Sequence, residues 1–220
     1  MLCETGITLT ESIGNQRFKA YFLAWKAYLL SFTYIMEDTE TFFSIMASNL
    51  VGLPFVTEEQ RQETLSRLRH LYEEYNSFFD AALDLTVRNN DPLMMAGVVL
   101  LIGNAAGQRG LAYRQMGVLD RAEREKLICK KSLLTAKNIY SSVNDEEGVV
   151  NAVFNLANQI RFFDERDEAL ALAKQSIESA RRINNKLLLQ KAIRLEETIR
   201  TGIIPDYIHG KRRKPYDKDG

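Results

Sequence analysis

The chain is poor in cysteine, histidine and proline, has no surplus of either charge, and carries no long apolar run. Each scarcity closes off a class of answer. Two cysteines, Cys3 and Cys129, are too few for a disulfide framework or a thiolate metal site, which fits a reducing compartment. Lys plus Arg equals Asp plus Glu at 29 each, so no global field draws the chain to nucleic acid or to an acidic membrane. The longest stretch without a strongly polar residue, Leu93 to Gly103, falls well short of the roughly 20 residues a helix needs to span a bilayer. No basic segment precedes an apolar core at the N-terminus, so no secretory signal is visible and the expected setting is the cytoplasm. Four prolines in 220 residues leave room for long uninterrupted helices.

What remains is helical periodicity on an ample supply of apolar residues, 45% of the chain. Between residues 16 and 36 the groups Phe18, Tyr21, Phe22, Trp25, Tyr28, Leu29, Phe32 and Ile35 recur in steps of three and four, which places them on one broad stripe. No stretch of similar length alternates with period two, so no strands are assigned. Helices are expected at about 16–36, 38–50, 57–88, 91–117, 119–143, 146–163, 166–184 and 186–202. Thr57 ahead of Glu58 and Glu59 reads as an N-cap, and Asp91-Pro92 as a cap with a first-turn proline. Gly117 and Gly148 read as joints.

The joints recur. Ile13-Gly14-Asn15, Val87-Arg88-Asn89, Val143-Asn144-Asp145 and Ile183-Asn184-Asn185 each set a β-branched residue before a short polar turn, and a new apolar-periodic helix follows. Repetition on this scale indicates stacked helix pairs, an α-solenoid. Within the unit at 148–200, Leu156 and Ala157 precede Ile160, and Ala169 follows Leu156 by thirteen residues. The stretch Phe154-Asn155-Leu156-Ala157-Asn158 with Asp167-Glu168-Ala169-Leu170 resembles the tetratricopeptide repeat. Gly110-Leu111-Ala112-Tyr113, Gly117 and Ala122 resemble the preceding unit. Departures are Val153 for the motif's tryptophan, Ile160 for its aromatic, and no proline at Ile183. The resemblance implies an all-α fold over 1–203, a right-handed α-α superhelix of antiparallel helix pairs, followed by a basic polar tail over 204–220. Residues Thr8 to Asn15 resemble the end of a second helix, so the expectation is a fragment of a longer array, or an N-terminal end covered by another chain or by self-association.

Catalytic chemistry finds little footing. His70 has Glu73 and Glu74 at helical spacing, which reads first as a solvated face and only second as a metal-dependent hydrolase centre. His209 lies in the polar tail, and nothing around Cys129 marks an activated thiol. Gly103-Asn104-Ala105-Ala106-Gly107-Gln108-Arg109-Gly110 lacks a Gly-Lys-Ser/Thr ending and follows an apolar helix instead of a strand, so it reads as a smooth helix face for close packing. Lys211-Arg212-Arg213-Lys214 is a basic tetrad, an alternative footing for nucleic acid but expected to be a solvated tail. No catalytic residue, metal or cofactor is assigned.

The expected function is therefore a non-catalytic interaction module that binds a peptide or protein, or another segment of a longer regulatory chain. In the resembled family the first helices line a concave groove. Carried onto this sequence, that groove shows Asn151, Phe154, Asn158, Arg161 and Phe162, with Arg109, Tyr113 and Met116 on the preceding first helix. Val153, Leu156 and Ile160 form the interior stripe.

Overall fold

The computed structural model describes residues 2–37, 57–202, 204–206 and 211–213. The helix expected at 38–50, together with His209 and Lys214, lies outside the described residues. The described helices are α1 (Leu2–Ser12), α2 (Gln16–Glu37), α3 (Glu58–Arg88), α4 (Pro92–Gln115), α5 (Leu119–Ser142), α6 (Glu146–Ile160), α7 (Arg166–Arg182) and α8 (Lys186–Thr201). A single 3-10 turn, Arg161–Phe163, extends α6. In the tail, Ile204–Asp206 pairs antiparallel with Lys211–Arg213, a short ladder in a stretch read from sequence only as polar tail. No described helix is long and apolar enough to cross a membrane.

One local device makes the corners into α2, α4, α6 and α8. A residue with left-handed backbone, Gly14, Asn90, Asn144 or Asn184, closes the outgoing helix at φ of 68°, 48°, 56° and 55°. The next residue donates its amide to the carbonyl five back: Asn15 to Thr10, Asp91 to Thr86, Asp145 to Tyr140 and Asn185 to Ala180. Its side chain then caps the incoming helix, Asn15, Asp91, Asp145 and Asn185 accepting from the amides of Phe18, Met94, Gly148 and Leu188. The second joint is thus Asn89-Asn90-Asp91, not Val87-Arg88-Asn89. Asn tolerates the left-handed position, and the carboxylate must stand one residue before Pro92 to reach the Met94 amide. Gly148 is no joint either. It lies in the first turn of α6, where a Cβ would meet the Tyr140 ring at 2.3 Å. Thr57 opens α3 with a reciprocal capping box through Gln60.

Three- to five-residue connections fold consecutive helices back along one another, except between α2 and α3, whose link lies mostly outside the described residues, and each helix packs on its neighbours in sequence. The helices that follow the capped corners also touch in series, α2 with α4, α4 with α6 and α6 with α8. The helices α3, α5 and α7 make no comparable contact with each other. The largest core joins Leu133 and Ala136 of α5, Leu156 and Ile160 of α6, Ala169 and Ala173 of α7, and Leu195 of α8. Close approach of α4 rests on its small residues. A Cβ on Gly103 would stand 2.6 Å from Leu133, and one on Gly107 would stand 2.4 Å from the Gln159 amide oxygen. The glycine-rich stretch of α4 is continuous helix and interior, the packing role its spacing indicated.

Candidate functional site

Helix α6 buries most of its circumference and leaves one stripe open. Ala152, Val153, Leu156, Ala157 and Ile160 are buried, whereas Asn151, Phe154, Asn155 and Asn158 are half-buried. Three amides at steps of four and three residues therefore share one helix face. The Asn155 side chain donates to the Asn151 carbonyl at 2.8 Å and to its Oδ1 at 3.1 Å, which braces the row from within. Phe154 packs sideways onto the main core and shows only part of its ring.

At the end of α6 the 3-10 turn swings two more groups onto this side. Arg161 donates from Nε to the Asn158 carbonyl at 3.1 Å and lies over the Phe162 ring at 4.4 Å. Burial pulls its guanidinium below the ordinary arginine value, so this cation is held partly out of water. The Phe162 carbonyl accepts from Arg114 Nη1 at 3.1 Å, and Arg114 also pairs with Asp164, the left-handed residue that ends the turn at φ 62°. The backbone carrying Arg161 and Phe162 is thereby tied to the preceding first helix.

The three groove positions carried onto the preceding first helix are interior. Arg109 and Tyr113 are each 4% exposed, and Met116 is 0% exposed. Arg109 donates from Nε and Nη2 to Glu125 at 3.0 and 2.9 Å and lies over the Tyr72 ring at 5.5 Å, while its Nη1 has no hydrogen-bond partner. Tyr113 stands edge-on to Tyr72 at 5.8 Å, with Arg121 over its own ring at 5.6 Å, and burial raises its phenol. The cause is where the neighbours lie: Tyr72 of α3 and Glu125 and Arg121 of α5 close over the stripe of α4 that carries Arg109 and Tyr113. Its half-buried stripe runs one residue earlier, through Gln108 and Leu111.

The capped corners give a common count along the first helices. Positions six, ten and thirteen after the capping residue are Asn151, Asn155 and Asn158 in α6 and Tyr21, Trp25 and Tyr28 in α2. In α2 these form an aromatic ladder with centroids 6.1 and 5.5 Å apart. The same count reaches Gly97, Leu101 and Asn104 in α4, where Asn104 is buried and accepts from Gln159 at 3.4 Å. Tyr21, Trp25 and Tyr28 belong to the broad stripe that the spacing marks in α2, whereas Asn155 was not picked out from sequence as part of the α6 face. Counting from the Asx cap, which is legible, would have found it.

Among the described residues no cluster of His, Cys, Asp and Glu could hold a metal ion. His70 is exposed, and the neighbouring Glu73 pairs with Arg69 at 3.0 Å. Burial pushes the Cys129 thiol up to about 12, which leaves it protonated and inert as a nucleophile at neutral pH. No family model matches this chain, and no curated protein sequence matches it.

Proposed function

We propose that the chain is a non-catalytic helical-repeat module, a right-handed superhelix of tetratricopeptide type, that binds a peptide or protein partner across the open face of α6. The observation that carries this reading is the half-buried row Asn151, Asn155 and Asn158 beside Arg161, on a helix whose other sides are packed. Asn158 offers two donors and an acceptor, Asn151 its two donors, and Asn155, whose amide braces Asn151, its acceptor, enough to bracket the backbone of an extended segment. Arg161, stacked on Phe162 and partly out of water, is set to take a carboxylate, whose hydrogen bonds to a charged donor strengthen as water is excluded. Phe154 and Phe162 supply apolar contact at the edges of the row. The superhelical part of the reading is supported by the contact pattern, in which the backbones of first helices approach in series more closely than those of second helices. Arg109 and Tyr113 lie in the interior against α3 and α5 and are not part of this face.

The test is affinity capture from a cell extract by the folded chain, repeated with the triple variant Asn151→Ala, Asn158→Ala, Arg161→Glu. The expected result is a partner captured by the wild-type chain and lost from the variant, with the helical circular dichroism and thermal midpoint retained. Equal capture by a folded triple variant would remove α6 as the binding face.

A further inference from the structure

One glycine inside a helix is not explained by packing. At Gly6, Gly103, Gly107, Gly110 and Gly148 a Cβ would stand 2.3 to 2.7 Å from a neighbouring side chain, so close approach requires each of them. At Gly97, in the second turn of α4, a Cβ would meet only the Tyr140 hydroxyl, at an ordinary 3.7 Å. An interior glycine weakens a helix relative to alanine, so its retention here calls for another use, and an open floor for an approaching backbone is one that glycine serves.

A hydroxyl lies beside this gap. The residue five before each Asx cap is Thr10, Thr86, Tyr140 or Ala180, buried in every case. Thr10 and Thr86 turn their hydroxyls back to the carbonyls of Ile7 and Leu83 at 2.8 and 2.7 Å. Tyr140, only 9% exposed, reaches from α5 to α4 instead, with its ring under Gly148 of α6. Among the described residues its hydroxyl has no hydrogen-bond partner, and Arg109 Nη1 is the one fully enclosed side-chain polar atom in that condition, so the Tyr140 oxygen opens to solvent. Burial, and then the charge of Asp145, raise the phenol and keep it a neutral donor at neutral pH.

We infer that a partner's extended main chain crosses from α6 onto α4 at this point, lying over Gly97 with one carbonyl oxygen accepting from the Tyr140 hydroxyl, beside Asn151. The inference rests on the peptide-binding reading of the α6 face and extends it to a second helix. Register supports it: Gln159 of α6 donates to Asn104 of α4 at 3.4 Å, and Gly97 and Asn151 hold the same place after their caps. Tyr140 and Asn151 also line one cleft of about 480 Å³ between the first turns of α6 and α8. Glu147 and Lys191 line that cleft too, one charge of each sign, while Asp145 is engaged by the Gly148 amide. Such a lining favours a neutral acceptor over an acidic or basic side chain, and the main-chain carbonyl is the neutral acceptor every peptide carries.

Random-sequence peptides displayed on phage are the probe, selected on the full chain and then measured as synthetic peptides by fluorescence anisotropy. Gly97→Ala is expected to weaken the selected peptide about tenfold while raising the thermal midpoint by about 2 °C, and Tyr140→Phe to weaken it about fivefold with the midpoint unchanged. The Tyr140→Phe effect should persist through alanine replacements along the peptide, because the main-chain carbonyl survives each of them. An effect that vanishes with one peptide side chain would overturn the main-chain contact. A lowered midpoint for Gly97→Ala would return that glycine to packing and overturn the crossing. A peptide that needs Asn158 and Arg161 but ignores both Gly97→Ala and Tyr140→Phe would also overturn it and leave the α6 face standing. No selected peptide, or one indifferent to the α6 triple variant, would remove the α6 reading and this inference together.

Discussion

Helices α4 and α6 hold the same place in the chain, each opening at an Asx-capped corner and each followed by a tight turn, yet they treat polar residues in opposite ways. Helix α4 is packed on almost every side. It takes an arginine, Arg109, and an asparagine, Asn104, into the interior and gives each a partner. Helix α6 keeps Asn151, Asn155 and Asn158 at its surface and turns Arg161 back along its own end. The same residue types thus serve as internal ties in one helix and as an accessible face in the next. Where the neighbouring helices close decides which: α3 and α5 cover Arg109 and α6 covers Asn104, whereas the asparagine row of α6 stays half-buried.

Substitutions at matched residues sharpen this contrast. The largest effect is expected at the arginines. Arg109→Met leaves Glu125 without its cation in a site that is mostly shielded, and the loss on denaturant unfolding should be about 3 kcal/mol. The double variant Arg109→Met with Glu125→Met should recover much of that. Arg161→Met, which gives up one bond to its own helix and a stack on Phe162, should cost under about 1 kcal/mol. Comparable losses at the two arginines would erase the distinction between the helices.

A smaller difference is expected between the asparagines. Asn104→Ala removes the acceptor for the buried Gln159 amide and should lower stability by about 1 kcal/mol, while Asn151→Ala should stay within about 0.5 kcal/mol and act on binding instead. Chemical denaturation of both variants in one buffer decides the point.

The smallest expected effect concerns the corner after α6. Burial alone would raise the Glu165 carboxyl, but hydrogen bonds from Lys130 at 3.0 Å and from Lys126 outweigh it and hold the group below the ordinary glutamate range. A carboxyl depressed in the folded state stabilises fully above its unfolded pKa, and that contribution disappears as pH falls through the folded value. Unfolding midpoints measured down through the acid range should therefore fall less steeply for Glu165→Gln than for the wild-type chain. Parallel curves would mean that the lysines do not hold Glu165 in solution.

Much of the scaffold was legible. Apolar residues at steps of three and four located every described helix after residue 16 to within a few residues, because a helix must bury a continuous stripe and the stripe is written in the sequence. The caps at Thr57 and Asp91 were legible for a similar reason, since an Asx or Thr side chain satisfies amides only at one offset. The error at the second joint was one of register by two residues: Asn89 was set in the capping place that Asp91 holds, where its carboxylate accepts from the Met94 amide. Helix α1 was only half seen, because its apolar residues Leu2 and Leu9, and Ile13 just beyond it, do not point into the described core.

The site divided differently. The α6 residues could be named because Asn151 and Asn158 lie opposite a well-formed interior stripe of Val153, Leu156 and Ile160. Arg109 and Tyr113 could not be placed, since periodicity says which residues share a face and not how many faces are covered. The sequence by itself determined the helices, their capped corners and the pairing of each with the next, because these depend on contacts within a few residues. Only the tertiary structure decided which polar stripe is open and which is enclosed, since that depends on α3 and α5 closing over the Arg109 stripe of α4 while the Asn151 stripe of α6 stays half-buried.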